Sequence, residues 1–294
     1  MAFLHLMVAL SWLTDLRRSV RSEDIHFAIR VMAWLSAGLS AYMIFQSVHI
    51  DPLIWLIQLK FEKFGWLHQN HVIGLMGNPF QAAGTLAVLT PAVSYLVFQS
   101  FLQRKKKVFW SVVLAMNLVA LCATQSASGL VAGLIGGVLA SGKVRTMKAF
   151  GILTMASLIG LISILFLAPD WLLGHGRIEI WKQSIAQLHY YPILGIGLNQ
   201  FKLIGITYLD SQVRWAHNEW IHFSVELGIF LTGLLAFYVG REAVKLFRVH
   251  FGMFGCFISI IILSFLHIPW HLAPILAVTG ICLVASHLEI KEGV

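Results

Sequence analysis

Long apolar stretches separated by short polar turns run along almost the whole chain. Continuous apolar runs lie near 25–48, 80–102, 108–124, 129–142, 149–169, 218–240, 250–266 and 271–288. Several of them approach or exceed the ~17–25 residues a helix needs to cross the hydrocarbon core. Residues 1–14 form a ninth, shorter candidate. Because the runs are continuous in polarity and do not alternate, strands are excluded as the spanning element. The pattern predicts an all-α fold: a polytopic transmembrane bundle of eight or nine crossings, one membrane domain over 1–294 with no soluble appendage or internal repeat.

One polar interruption stands apart. Residues 170–216, from Asp170 to Ala216, form a loop far longer than a simple connection requires. From Arg177 to His189 its apolar residues Ile178, Trp181, Ile185 and Leu188 recur every three or four positions, the spacing of an amphipathic helix. Pro192 and the pair Gly195 and Gly197 end it. Such a helix is expected to lie flat at the membrane interface, with Arg177 near its start, where helix N–H groups attract anions. The stretch 49–79 also reads as interfacial, because aromatics (Trp55, Phe61, Phe64, Trp66) interleave with Lys60 and Lys63. Gly77-Asn78-Pro79 then breaks the chain before the next run.

Composition agrees with a membrane class: 58% hydrophobic, 12% charged, mean hydropathy +0.80. The charge pattern gives an orientation. Arg17, Arg18 and Arg21, Arg104 to Lys107, Lys143, Arg145 and Lys148, and Arg241, Lys245 and Arg248 fill four connections that share one side if the eight crossings alternate. With Lys291 they account for 14 of 21 basic residues, and the positive-inside rule makes that side cytoplasmic. The net charge of +8 therefore records topology, and nucleic acid is not an expected partner. The 170–216 loop, the 49–79 stretch and the Gln125–Ser128 turn fall on the outer, periplasmic face. The N-terminal run does not resemble a cleaved signal peptide, since its basic residues follow the apolar stretch. Cys122, Cys256 and Cys282 sit inside apolar runs, are odd in number, and read as small buried hydrophobes. Gly129, Gly133 and Gly137 repeat at four-residue spacing and predict a tightly packed helix.

Candidate chemistry gathers at the loop. His217-Asn218-Glu219 stands at the mouth of the 218–240 run, where an imidazole can act as a general base and Asn218 can cap the helix, or His217 can simply be a solvated interfacial residue. Glu219, His222 and Glu226 share one face of that helix, and an acid as deep as Glu226 needs a partner or a wet cavity. Arg177, Lys182, Lys202 and Arg214 place four cations in or beside the loop, suited to lipid headgroups or to a pyrophosphate. Gly195-x-Gly197 is a turn, since it lacks the strand and third glycine of a dinucleotide loop. His267 and His271 have a metal-like spacing interrupted by Pro269 with no carboxylate near, so no metal is expected. Ser126-Ala127-Ser128-Gly129 resembles the serine site of rhomboid-type intramembrane proteases, with His271 as the one loose candidate for the activating imidazole.

Taken in order, several pieces resemble the superfamily of O-antigen ligases and O-antigen polymerases, membrane glycosyltransferases. They are Gly77-Asn78-Pro79, Ser126-Ala127-Ser128-Gly129, Gly176-Arg177-x-x-x-Trp181, Pro192-x-Leu194-Gly195-x-Gly197-x-x-x-Phe201, His217-Asn218 and Glu226-x-Gly228-Ile229. The resemblance covers about residues 75–240. It implies transfer of a glycan from an undecaprenyl-pyrophosphate carrier to an acceptor hydroxyl at the periplasmic face of the bacterial inner membrane, without nucleotide sugar, metal or other cofactor. The acceptor would be a lipid A core, a growing glycan or a protein. Carried over by position, His217 orients or deprotonates the acceptor and Arg177 stabilises the departing pyrophosphate. Arg214, Lys202, Lys182, Asn218 and Glu226 are the accompanying substrate-binding candidates.

Two departures bear on that expectation. Ala127 stands where related proteins usually carry Arg, so Arg214 or Lys202 would have to substitute. The chain also lacks several N-terminal helices common in the family, as a reduced form, a truncation or a protein needing a partner would. A non-catalytic subunit of a polysaccharide assembly complex is the alternative that Ala127 favours, with the intramembrane protease as a third.

Overall fold

The computed structural model describes residues 19–51, 72–103, 107–142, 176–208 and 211–288. Within them the chain forms α1 (Ser22–Ser47), α2 (Pro79–Gln103), α3 (Lys107–Ala123), α4 (Ala127–Ala140), α5 (Arg177–Gln187), α6 (Glu219–Val249), α7 (Phe251–Leu266) and α8 (Ala273–Ala285). Two short 3-10 turns, Phe201–Ile204 and Pro269–His271, join a two-residue antiparallel ladder pairing Thr207 with Gln212 and Tyr208 with Ser211.

Three helices, α1, α2 and α6, are long and apolar enough to cross a membrane, at 26, 25 and 31 residues. The helices α3, α4, α7 and α8 are apolar but shorter. The expected runs at 1–14 and 149–169, and most of the 49–79 stretch, lie outside the described residues. The helix expected over 218–240 continues to Val249.

Helix starts follow local chemistry. Asn78 Oδ1 accepts the Phe80 amide at 2.8 Å, so the Gly-Asn-Pro break is a cap for α2. Ser126 Oγ accepts the Gly129 amide at the head of α4, and the His250 ring accepts that of Met253 at the head of α7.

α2 is the central helix, packed on α1, α3, α4 and α7. The glycine-rich α4 fits between α2 and α7 as its spacing predicts. A Cβ at Gly129 would fall 2.6 Å from Ala83 Cβ, and one at Gly136 would fall 2.6 Å from the Gly255 carbonyl. With little hydrophobic drive between helices in lipid, close contact of this kind supplies dispersion energy. Asn117 adds a polar tie across α1, α2 and α3, donating to Ser36 and to Thr90. Large apolar side chains face outward around the bundle, among them Phe27 and Trp34 on α1 and Phe230 and Phe237 on α6. Cys256 and Cys282 are buried as expected, but Cys122 is exposed on α3, because its position turns away from the packed face.

The contacts sort the helix ends into two groups. His26 of α1 and Tyr95 of α2 meet His250 at the start of α7, and Gly142 after α4 meets Phe98 and Phe251. Here too, buried Glu242 near the end of α6 is held by Arg241, Lys245 and Ser286. At the other end lie the starts of α2, α4, α6 and α8, the end of α7, and α5.

Candidate functional site

The site is built where α5 docks against the end of α7. Gly176, with φ +77°, opens α5, and Arg177, Ile180 and Ser184 recur at helical spacing on its buried face. Trp181 Nε1 donates to the Ala216 carbonyl at 2.8 Å, which holds the segment leading into His217. Arg177 reaches the last turn of α7 and donates to the Leu266 carbonyl. Its guanidinium also stands 5.5 Å over the Phe80 ring. The C-terminal end of a helix presents unpaired carbonyls and partial negative charge, so it suits a cation. Asn218 serves the same end: it caps α6 by accepting the Ile221 amide at 3.1 Å and donates to the Phe265 carbonyl at 3.0 Å. Its side-chain polar atoms are thus engaged by the fold.

Arg177 is buried, and among the described residues no carboxylate pairs with it. Burial lowers its pKa to about 10, so it stays a cation at neutral pH. Two imidazoles share its surroundings. His217 has a left-handed backbone, φ +53°, and its ring lies 6.2 Å from that of His267. Burial first, then the Arg177 charge and His222, push His217 down to about 4. Burial, then Arg177 and His217, push His267 down to about 3. Both rings are therefore neutral near pH 7, and neither adds to nor cancels the guanidinium charge. Among the described residues nothing hydrogen-bonds His217 Nδ1 or His267 Nε2. The result is a net positive, largely desolvated cluster with unfilled hydrogen-bonding capacity, an electrostatic setting that favours an anion.

The remaining motif residues interlock. The segment Pro192–Gly197 docks onto a break in α6. Ile196 donates its amide to Val225 O and Gly197 to Glu226 O, each at 2.9 Å, and Ile229 donates to Pro192 O at 2.8 Å. Those carbonyls would otherwise serve the helix itself. The break is at Gly228, whose φ of +79° and ψ of 166° only glycine adopts readily. A Cβ there would collide with the Ile193 carbonyl, and one at Gly195 would fall 2.6 Å from the Gly228 amide. Phe201, fully buried, donates its amide to Glu226 Oε1 at 3.0 Å and stacks near His222 at 4.6 Å. The turn read at Gly195-x-Gly197 and the depth of Glu226 thus have a single cause.

Beside this lock lies a cavity of about 370 Å³ whose walls include Lys202, Arg214, Trp215, His222, Glu226 and His271. The expected residues fall into two groups. Arg177, His217 and Asn218 gather at the end of α7, while Lys202, Arg214 and Glu226 line the cavity. His222 lines the cavity as well. Lys182 is exposed on α5 and lines neither. Sequence reasoning missed Phe80, the Leu266 carbonyl and His267 as members of the Arg177 pocket. It noticed His267 and His271 for their metal-like spacing, and His271 also as a loose candidate to activate a serine; no group of three potential metal ligands converges among the described residues. The Ser126 and Ser128 hydroxyls face each other at 3.2 Å, with Ser126 also capping α4, and no described imidazole contacts them.

No known protein-family model matches the chain, and no curated protein does either.

Proposed function

We propose that this chain is a multi-pass membrane glycosyltransferase of the O-antigen ligase or polymerase type. It would transfer a glycan from undecaprenyl pyrophosphate to an acceptor hydroxyl at the periplasmic face of the bacterial inner membrane. The observation that carries this reading is buried Arg177, a cation without a described carboxylate partner, beside neutral His217. Negative charge develops on the pyrophosphate as the glycosidic bond breaks, and a fixed, buried guanidinium would stabilise it without reorganisation. His217 orients or deprotonates the acceptor. The arrangement needs no metal or nucleotide.

The two groups of helix ends support the orientation. The end of α6, with Arg241, Lys245 and Arg248, lies at the end opposite Arg177, in line with a cytoplasmic basic face. The interlock joins two of the segments on which the resemblance rests.

One observation favours the accessory-subunit reading. Ala127 is 1% exposed and follows the Ser126 cap, so an arginine would not fit there without repacking. Complementing ligase- or polymerase-deficient strains with wild type, Arg177→Ala and His217→Ala separates the readings. Restored glycan transfer that both variants lose supports the enzyme. Transfer untouched by both overturns the site, and function without transfer supports the subunit.

A further inference from the structure

The cavity beside the lock contains a second carboxylate–imidazole arrangement. Glu219 is fully buried, and its Oε1 accepts the Trp270 amide at 2.9 Å. The same oxygen lies 3.2 Å from His271 Nδ1. An oxygen already accepting an amide is an acceptor toward the ring as well, so Nδ1 donates to it, and in the neutral form of the ring Nε2 is the nitrogen with the lone pair. Trp215 packs against the ring at 4.5 Å in an edge-on contact, fixing its plane. His271 lines the cavity with its side chain 30% exposed. The neighbouring pair, His222 with Glu226 at 3.6 Å, faces the same space but is only 3% exposed at the imidazole. Lys202 and Arg214 are the cations of this cavity, and both are exposed.

We infer that the Glu219–His271 pair is a general-base site for a hydroxyl-bearing acceptor that also carries a phosphate monoester, held by Lys202 and Arg214. This deepens the glycosyltransferase reading and rests on it for the reaction step. The acceptor oxygen forms a bond to the anomeric carbon as the bond from that carbon to the pyrophosphate oxygen breaks. The bonding pair leaves with the pyrophosphate, and the hydroxyl proton passes to His271 Nε2. Glu219 is a positioning residue that holds the ring in the accepting tautomer and stabilises the imidazolium that forms. His217, beside Arg177 and absent from the cavity wall, keeps the orienting part of its proposed role, and the proton goes to His271.

The test has two independent arms, both on the full chain in detergent or vesicles. In the first, carbethoxylation by diethyl pyrocarbonate is followed peptide by peptide. His271 reacts faster than His217, His222 and His267. Glucose 6-phosphate slows it at least fivefold, glucose does not, and Lys202→Ala with Arg214→Ala abolishes the protection. Inorganic phosphate as the competitor separates recognition of the phosphate alone from recognition of the phosphorylated sugar. An unreactive His271, or equal protection by glucose, overturns the site.

In the second arm, transfer kinetics are compared for wild type, His271→Gln and Glu219→Gln. The second variant keeps an oxygen for the Trp270 amide and so guards against misfolding. Both are expected to lower kcat at least a hundredfold with an unchanged KM for the donor. Wild-type turnover in His271→Gln overturns the base assignment while leaving the transferase reading standing. Phosphate-selective protection without any wild-type transfer leaves the binding site standing and overturns the transferase reading.

Discussion

Gly228→Ala isolates the joint that holds the loop against α6. At φ +79° and ψ 166° an alanine is strained by about 1–3 kcal/mol, and its Cβ would collide with the Ile193 carbonyl. The chain can relieve both by straightening α6, which returns Val225 O and Glu226 O to helical donors. The loop then loses the three backbone bonds made by Ile196, Gly197 and Pro192. At roughly 1 kcal/mol net for each, docking weakens by about 3 kcal/mol, a fall of roughly 150-fold in amide protection. Hydrogen exchange followed by mass spectrometry on peptides covering 193–201 reads this directly. Gly195→Ala should act in the same way from the loop side, because its φ is +64° and its Cβ would meet the α6 backbone. Gly233→Ala is the internal control: it lies in the same helix with nothing near its Cβ. There the substitution should stabilise by about 0.5–1 kcal/mol. Unchanged exchange over 193–201 in Gly228→Ala, or an equal loss of protection in Gly233→Ala, would refute the interlock.

Other substitutions test the separate parts. Arg177→Met should lower transfer at least a hundredfold while leaving the melting temperature unchanged or raised, because it removes a buried charge lacking a described acid partner; a large fall in melting temperature would instead assign the guanidinium to the fold. Asn218→Ala removes the α6 cap and the tie to Phe265, with an expected cost of about 0.5–2 kcal/mol by thermal or urea unfolding. His217, pushed down to about 4 in the folded chain from about 6.5 unfolded, contributes stability that is present above pH 6.5 and lost as pH falls toward 4. Melting curves at pH 7.5, 6 and 5 should therefore fall more steeply for wild type than for His217→Gln, and parallel curves would contradict the partly buried, neutral ring. Ala127→Arg should destabilise by about 1–3 kcal/mol through overpacking at a site that is 1% exposed, measured by melting temperature and by recovery of folded protein.

Much of the helical layout was legible because apolar run length and cap chemistry are local properties. The starts at Pro79, Glu219 and Phe251 fall within two residues of the expected ones, and Arg177 begins the loop helix as its spacing predicts. What was not legible depends on which backbone groups are left unpaired. Glu226-x-Gly228 and Pro192-x-x-Gly195-x-Gly197 are separated by about 30 residues, and nothing in either segment says that one supplies the donors for the other. Cys122 illustrates the same limit: membership of an apolar run does not tell a packed face from an outward one when lipid makes both apolar.

The imidazoles carry this point furthest. Four of them, at 217, 222, 267 and 271, crowd one end of the bundle, and the sequence singled out His217 for its place at the mouth of an apolar run and in the resembling motifs. Their roles divide by partner and exposure instead. His217 and His267 share the field of Arg177 and are held neutral, which suits a pocket that must stay cationic for an anion without gaining protons of its own. His222 is sealed against Phe201. His222 also has a carboxylate, Glu226, and lines the same cavity, but its side chain is 3% exposed against 30% for His271, so His271 is the more open of the two. A base must have its accepting nitrogen exposed to substrate and its other nitrogen fixed, and that pairing is made by Glu219, 52 residues earlier in the chain.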